Sequence, residues 1–481
     1  MKKNLVAPKT KEEMEILRNT QEEKKRIWTD HLKKHESEFK PMTRRELLNA
    51  GVISSVGYMA VPSLIGLLPK MAQAAGECDA AAAAGATRLP YININLAGGF
   101  GSSMNMVVLD QAGAPLASYN VVGVNSANFV KDFNGGNWNN TSGFRAGMNT
   151  AITDANARAR TTALIVSCGS GDDSSNNPLS NLGNVIKAGL TGEVLPAMGT
   201  SNTLTGVGSV PAGTRPAAPL VVRSVNDITG AVNVQGALAG LSAAQKNKLF
   251  ETIGKLNASQ VRKLAGMNAS DGLETILKCA DEKNLQLVQS AGALQLNVTQ
   301  NAQLAPIWTA DQVNGSIVMN VLNGNAPAAA INLGGYDYHG NNRATTDQRD
   351  NQAGTLVGRI IQSASVLQRP VFIHVTTDGS VSCDGAGNPA SDSGSRSAQY
   401  MIVYDPAAAP KVKDNFNQLG FMTAAQTAAT NTTVGATPDR AAFAVFANWA
   451  FYSTGSNDLF NKVLPGVFNA AQLTEVVKLT K

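Results

Sequence analysis

AAAINLGGYDYHGNNRATTDQRDNQAGTLVGRIIQSASVLQRPVFIHVTTDG, residues 328–379, reads as a strand, a polar loop, a helix and a second strand. AAAINL (328–333) and PVFIHVTT (370–377) are short apolar runs of the kind buried on both faces of a parallel sheet. Between them, residues 346–368 carry Leu356, Ile360, Ile361, Ala364 and Leu367 as one apolar stripe at helical spacing. Strands alternating with helices favour an α/β fold, a doubly wound and mostly parallel sheet with helices on both faces.

Outward from this unit, further runs read as buried strands: YININL (91–96), MNMVVL (104–109), TALIVS (162–167), PLVVRSV (219–225), SIVMNVL (316–322) and QYMIVY (399–404). From about 235 to 295 the text is helical throughout, with Ser242, Ser259 and Ser270 as N-caps, and is expected to form a helical insertion or cap on the sheet. No period of 20–50 residues runs through the chain, which excludes a solenoid.

The formal net charge is +5, but residues 1–74 hold 14 Lys+Arg against 9 Asp+Glu, leaving 26 of each in the remainder. The body is therefore neutral, and a nucleic-acid partner has no electrostatic basis. The basic excess belongs to an address. TRRELLN (43–49) precedes AGVISSVGYMAVPSLIGLLP, and Ala72-Gln73-Ala74 supplies a small-x-small site. Paired arginines, a mildly apolar stretch and that site are the three parts of an export signal. Arg44-Arg45 with Leu47-Leu48 resembles the twin-arginine signature, so the export machinery is the expected partner and the periplasm or exterior the expected location. An uncleaved membrane anchor is the alternative, because about twenty apolar residues can span a bilayer. The expected divisions are a charged presequence (1–42), the signal (43–74) and the α/β domain (75–481). Cys78, Cys168, Cys279 and Cys383 permit two disulfides outside the cytoplasm, with the pairing open; Cys168 and Cys279 also read as buried thiols.

In sheets of this kind ligands gather beyond the carboxyl ends of the strands. Four predicted strands run into polar loops: AGGFGSS (97–103), CGSGDDSSNN (168–177), GGYDYHGNN (334–342) and DGSVSCDG (378–385). Together they supply Asp172, Asp173, Ser174, Ser175, Asp337, His339 and Asp378. Parallel strands would bring these groups to one rim, with Asp173, Asp337, His339 and Asp378 as metal ligands and Ser174, Ser175 and His339 as catalytic candidates. Each has a plainer reading. GGFGSS can cradle a phosphate or simply turn, and DDSSNN can cap the helix that follows it. His374 lies on the strand face opposite Ile373 and Val375 and reads as a buried, hydrogen-bonded core histidine. With only His339 left over, a His-rich catalytic zinc site is hard to assemble, whereas a carboxylate-rich site for magnesium, calcium or manganese is not.

The arginine pair, Gly98-Gly99 with Asn105, the block Gly334-Gly335-Tyr336-Asp337-Tyr338-His339 and the strand ending at Asp378 together resemble the bacterial family called domain of unknown function 1501. The resemblance implies an exported protein related to alkaline phosphatases and sulfatases. It also exposes departures. GGFGSSMN lacks the acid that usually follows the family's Gly-Gly, and DDSSNN stands where a Ser-His pair is usual. TTDGS keeps Asp378 without the family's arginine, and SDSGSRS offers only Asp392 and Arg396 in place of a later Asp-His-Gly. The expectation is a phosphatase- or sulfatase-like fold that has lost most catalytic ligands and serves in binding or envelope assembly. The alternative is a diverged hydrolase of phosphate or sulfate esters, holding one divalent cation (Mg, Ca, Mn or Zn).

Overall fold

The computed structural model describes residues 89–125, 129–169, 180–190, 195–201, 219–232, 295–340 and 342–481, with positions 192, 242, 245 and 248. Eight strands form the central sheet: β1 (Tyr91–Leu96), β2 (Thr161–Cys168), β3 (Met198–Gly199), β4 (Leu220–Val221), β5 (Ala328–Leu333), β6 (Val371–Thr377), β9 (Ser397–Tyr404) and β10 (Gln418–Leu419). Their order is β10-β2-β9-β6-β1-β5-β3-β4. β9 alone runs opposite, pairing antiparallel with β2 and β6; the other pairings are parallel. A small hairpin, β7 (Val381–Cys383) and β8 (Pro389–Asp392), folds back between β6 and β9.

Period-two alternation sorts the side chains of β1 onto two faces. Ile92, Ile94 and Leu96 join one core with Ile317 of α3 (Gln312–Leu322) and Val357 and Ile360 of α4 (Arg343–Val366). Tyr91 joins the other, with Val185 of α2 (Leu182–Lys187) and Phe446 and Trp449 of α5 (Pro438–Thr454). Helices thus cover both faces. The second face also carries a buried polar row. His374 is fully buried, with Nδ1 2.7 Å from Tyr91 Oη and Nε2 2.7 Å from Gln399 Oε1. Burial pushes its pKa down to about 4, so the ring is neutral. A proton on Nε2 lets it donate to Gln399 while accepting from Tyr91, which satisfies both nitrogens. The core-histidine expectation holds.

Two apolar runs depart from the expected strands. SIVMNVL lies inside α3, whose residues 315–322 are all buried. A helix buried all round gives the same continuous apolar text as a buried strand, and the N-cap Asp311, accepting from Asn314 N, starts the helix. MNMVVL opens in a four-residue helical turn, Ser102–Asn105, and continues as buried irregular chain. Its backbone is satisfied one group at a time, Val107 N by Asn137 O and Leu109 N by the Gln418 side chain. Of PLVVRSV only Leu220 and Val221 pair in the sheet.

The close approach of α1 (Gly143–Ala151) to α4 rests on glycines. A Cβ on Gly147 would lie 2.1 Å from Asn351 O, and one on Gly354 would lie 1.9 Å from Phe144 O. Cys168 and Cys383 are free thiols, Cys168 buried, so two disulfides do not form. Cys78, Cys279, the export signal and nearly all of the 235–295 segment lie outside the described residues. Ser242 does cap: its Oγ accepts from Gln245 N at 3.3 Å, and Gln245 Oε1 accepts from Ser242 N at 2.8 Å, a reciprocal capping box.

Candidate metal centre at the sheet rim

The parallel register places the ends of β1, β5 and β6 together, with Leu96 opposite both Leu333 and Thr377. The chain then stitches these ends to one another. Ala97 N donates to Leu333 O, Tyr336 N to Ala97 O, and Phe100 N to Thr377 Oγ1 at 2.9 Å. Gly98, at φ +115°, is in a region that L side chains rarely adopt, and a Cβ there would sit 2.6 Å from Asp337 Cβ. Only glycine lets the first loop pass this close beneath Asp337.

The segment 336–339 alternates: Tyr336 and Tyr338 are buried, whereas Asp337 and His339 are exposed. Both tyrosine rings pack on Phe100, at 6.1 and 6.3 Å between centroids. Apolar-in, polar-out alternation therefore explains why the acid and the histidine stand two apart on one side. The β7–β8 hairpin, with Asp392 opposite Val381, brings a third group to the same place. His339 Nδ1 contacts Asp337 Oδ1 and lies 3.0 Å from Asp392 Oδ1. One ligand atom from each of Asp337, His339 and Asp392 lies within 4.8 Å of the others, and all three side chains are about half exposed, at 49%, 52% and 48%.

The hydrogen bond that His339 donates to Asp337, then the charges of Asp337 and Asp392, raise the His339 pKa above its usual range. One imidazole nitrogen and two carboxylate oxygens can thus share either a proton or a cation. Two oxygens and one nitrogen suit a borderline or hard divalent ion with remaining positions left to water or ligand. Metal would displace the proton on Nδ1, so cation affinity falls as the histidine protonates.

Of the other sequence candidates, Asp378 is 2% exposed and its Oδ1 accepts from Gly98 N at 2.7 Å, so it clamps the Gly-Gly turn. It is not a member of the cluster. Asp172, Asp173, Ser174 and Ser175 lie outside the described residues. Asn105 is wholly internal: its Nδ2 donates to Asp350 Oδ2 at 2.6 Å and its Oδ1 accepts from Ser142 Oγ at 2.7 Å. Arg396, immediately before β9, donates from Nη1 to Ser382 and Ser393 hydroxyls at 2.9 and 3.0 Å.

Asp392 was not a ligand candidate on sequence. The signal that could have raised it was its place in the polar stretch SDSGSRS (391–397), shortly before the apolar run QYMIVY. Asp350 gave no signal at all, because an acid inside a helix ordinarily reads as a solvated one. In comparisons with known proteins, no family model, no curated protein and no solved structure matches the chain.

Proposed function

We propose that the chain is an exported binding protein of alkaline phosphatase- and sulfatase-related architecture that carries one divalent cation at its sheet rim and does not hydrolyse esters. The observation that carries this reading is the meeting of Asp337 and His339, from the loop after β5, with Asp392 of the β7–β8 hairpin. Three half-exposed ligands leave a bound cation open to an outside ligand. The same openness argues against catalysis, since charge stabilisation is strongest where water is excluded. Asp378, a carboxylate that the hydrolase alternative would use, is buried with its Oδ1 on the Gly98 backbone N–H, outside the exposed cluster. Export follows from Arg44 and Arg45 and the segment behind them.

Titration of the metal-free protein with Mn²⁺ or Zn²⁺ by calorimetry is expected to show one site per chain. Asp337→Ala should weaken it at least ~10-fold, the scale on which even outer-shell changes act on metal sites. Absence of a stoichiometric site would refute the cation, leaving His339 as an imidazolium between two acids. Hydrolysis of p-nitrophenyl phosphate or sulfate, lost in Asp337→Ala, would replace binding by the hydrolase alternative.

A further inference from the structure

Tyr338 stands between Asp337 and His339 in the chain and points the other way. It is fully buried, and its Oη donates to Asp350 Oδ1 at 2.5 Å. Asp350, 1% exposed on α4, is gripped from a second side by Asn105 Nδ2 at 2.6 Å. Asn105 cannot turn over, because its Oδ1 already accepts from Ser142 Oγ and Phe144 N. One interior carboxylate therefore ties together the turn after β1, the start of α1 and the loop that presents two cation ligands.

We propose that Tyr338 and Asp350 are positioning residues for the cation site: their buried hydrogen bond holds the extended segment so that Asp337 and His339 face Asp392, and it does so fully only while Asp350 is ionised. This deepens the cation-binding reading and rests on it.

The reason lies in the polarity of the bond. With Asp350 ionised, Tyr338 donates and both carboxylate oxygens accept. A proton on Asp350 must sit on Oδ1, since Oδ2 faces the Asn105 amide. It then donates to Tyr338 Oη, and the phenolic hydrogen is left without an acceptor among the described residues. A buried hydroxyl in that state is costly and its ring is less firmly held. Of the groups facing Asp350, Asp347 on α4 disfavours ionisation and Arg343 favours it, while Tyr336 and Tyr400 feel its charge from the loop and from β9. α1 presents the Gly143 backbone. Burial brings the Asp350 pKa up to about 7, so the bond changes polarity in the neutral range.

The test is calorimetric titration with Mn²⁺ between pH 5.5 and 8.5 for the full chain, Tyr338→Phe and Asp350→Asn, with folding of each checked by circular dichroism. Expected at pH 8 are affinities about 10-fold weaker for both variants, as for partners one step behind a ligand. Wild type should lose affinity on acidification more steeply than either variant, which keep only the His339 dependence. Wild-type affinity and pH profile in both folded variants would overturn the inference while leaving the cation site standing. Absence of Mn²⁺ binding in wild type itself would instead overturn the cation reading. Should Asp350→Asn not fold, Tyr338→Phe, which keeps the ring and removes only the hydroxyl, decides alone.

Discussion

Gly354→Ala is expected to lower the unfolding free energy by about 3 kcal/mol, the upper end of the range for overpacking a tight core. The added carbon would stand 1.9 Å from the carbonyl oxygen of Phe144, and the next atoms it meets, Phe144 C and Cα at 2.6 and 2.9 Å, are also backbone. A side chain could rotate away, but a helix backbone must be displaced whole. The two helices cannot separate locally either. Gly143 and Gly147 on α1 hold the same distance against Asp347 and Asn351 of α4, with gaps to a built Cβ of 2.2 and 2.1 Å. Alanine returns about 1 kcal/mol in helix propensity, which the clash outweighs. Gly230→Ala is the control. It sits in the helix Val225–Val232 with no described atom within 4 Å of a built Cβ, so the same substitution should stabilise by roughly 0.5–1 kcal/mol. Urea denaturation of the three proteins reads both signs, and a Gly354→Ala protein as stable as wild type would mean that α1 and α4 do not approach this closely.

Asp350→Asn is expected to act in the opposite direction, and only at neutral and alkaline pH. The folded chain holds the Asp350 pKa at about 7, mainly through burial, against the ordinary aspartate value of 3.8. The native state therefore binds more protons than the unfolded state between those limits, and stability falls as pH rises through them. The contribution is complete below about pH 3.8 and lost above about pH 7. At about 1.4 kcal/mol for each tenfold change in proton affinity, roughly 4 kcal/mol is at stake. The carboxamide of Asp350→Asn offers an acceptor to Asn105 and an N–H to Tyr338, as the protonated acid does, and carries no charge at any pH. Chemical denaturation at pH 8 should find the variant more stable by several kcal/mol, with the difference shrinking toward pH 4. A constant difference across that range would show that Asp350 does not titrate on unfolding. Greater stability joined to weaker cation binding would mark a residue retained for its site at a cost to the fold.

The two substitutions also divide what local text can reveal from what it cannot. β1, β5, β6 and β9 were legible because each is a bounded apolar run of strand length, and α4 because its stripe repeats at helical spacing. SIVMNVL was not, since burial on all sides erases the periodicity that separates helix from strand. The alternation of Tyr336, Asp337, Tyr338 and His339 was present in the text but looked like a polar loop. It acquired direction only once Phe100, more than two hundred positions earlier, was brought beneath it.

By itself the sequence determined an α/β chain with a mostly parallel sheet, the loops at whose ends polar groups collect, and the His374 that belongs to the core. Local periodicity carries that much, because it reflects burial residue by residue. Only the tertiary structure decided that Asp392 meets His339, that Asp378 accepts from the Gly98 N–H, that glycines bring α1 and α4 together backbone to backbone, and that Asp350 is interior. Those are facts of distance between remote segments. A residue's neighbours along the chain do not record which backbone or charge will come to lie against it in space.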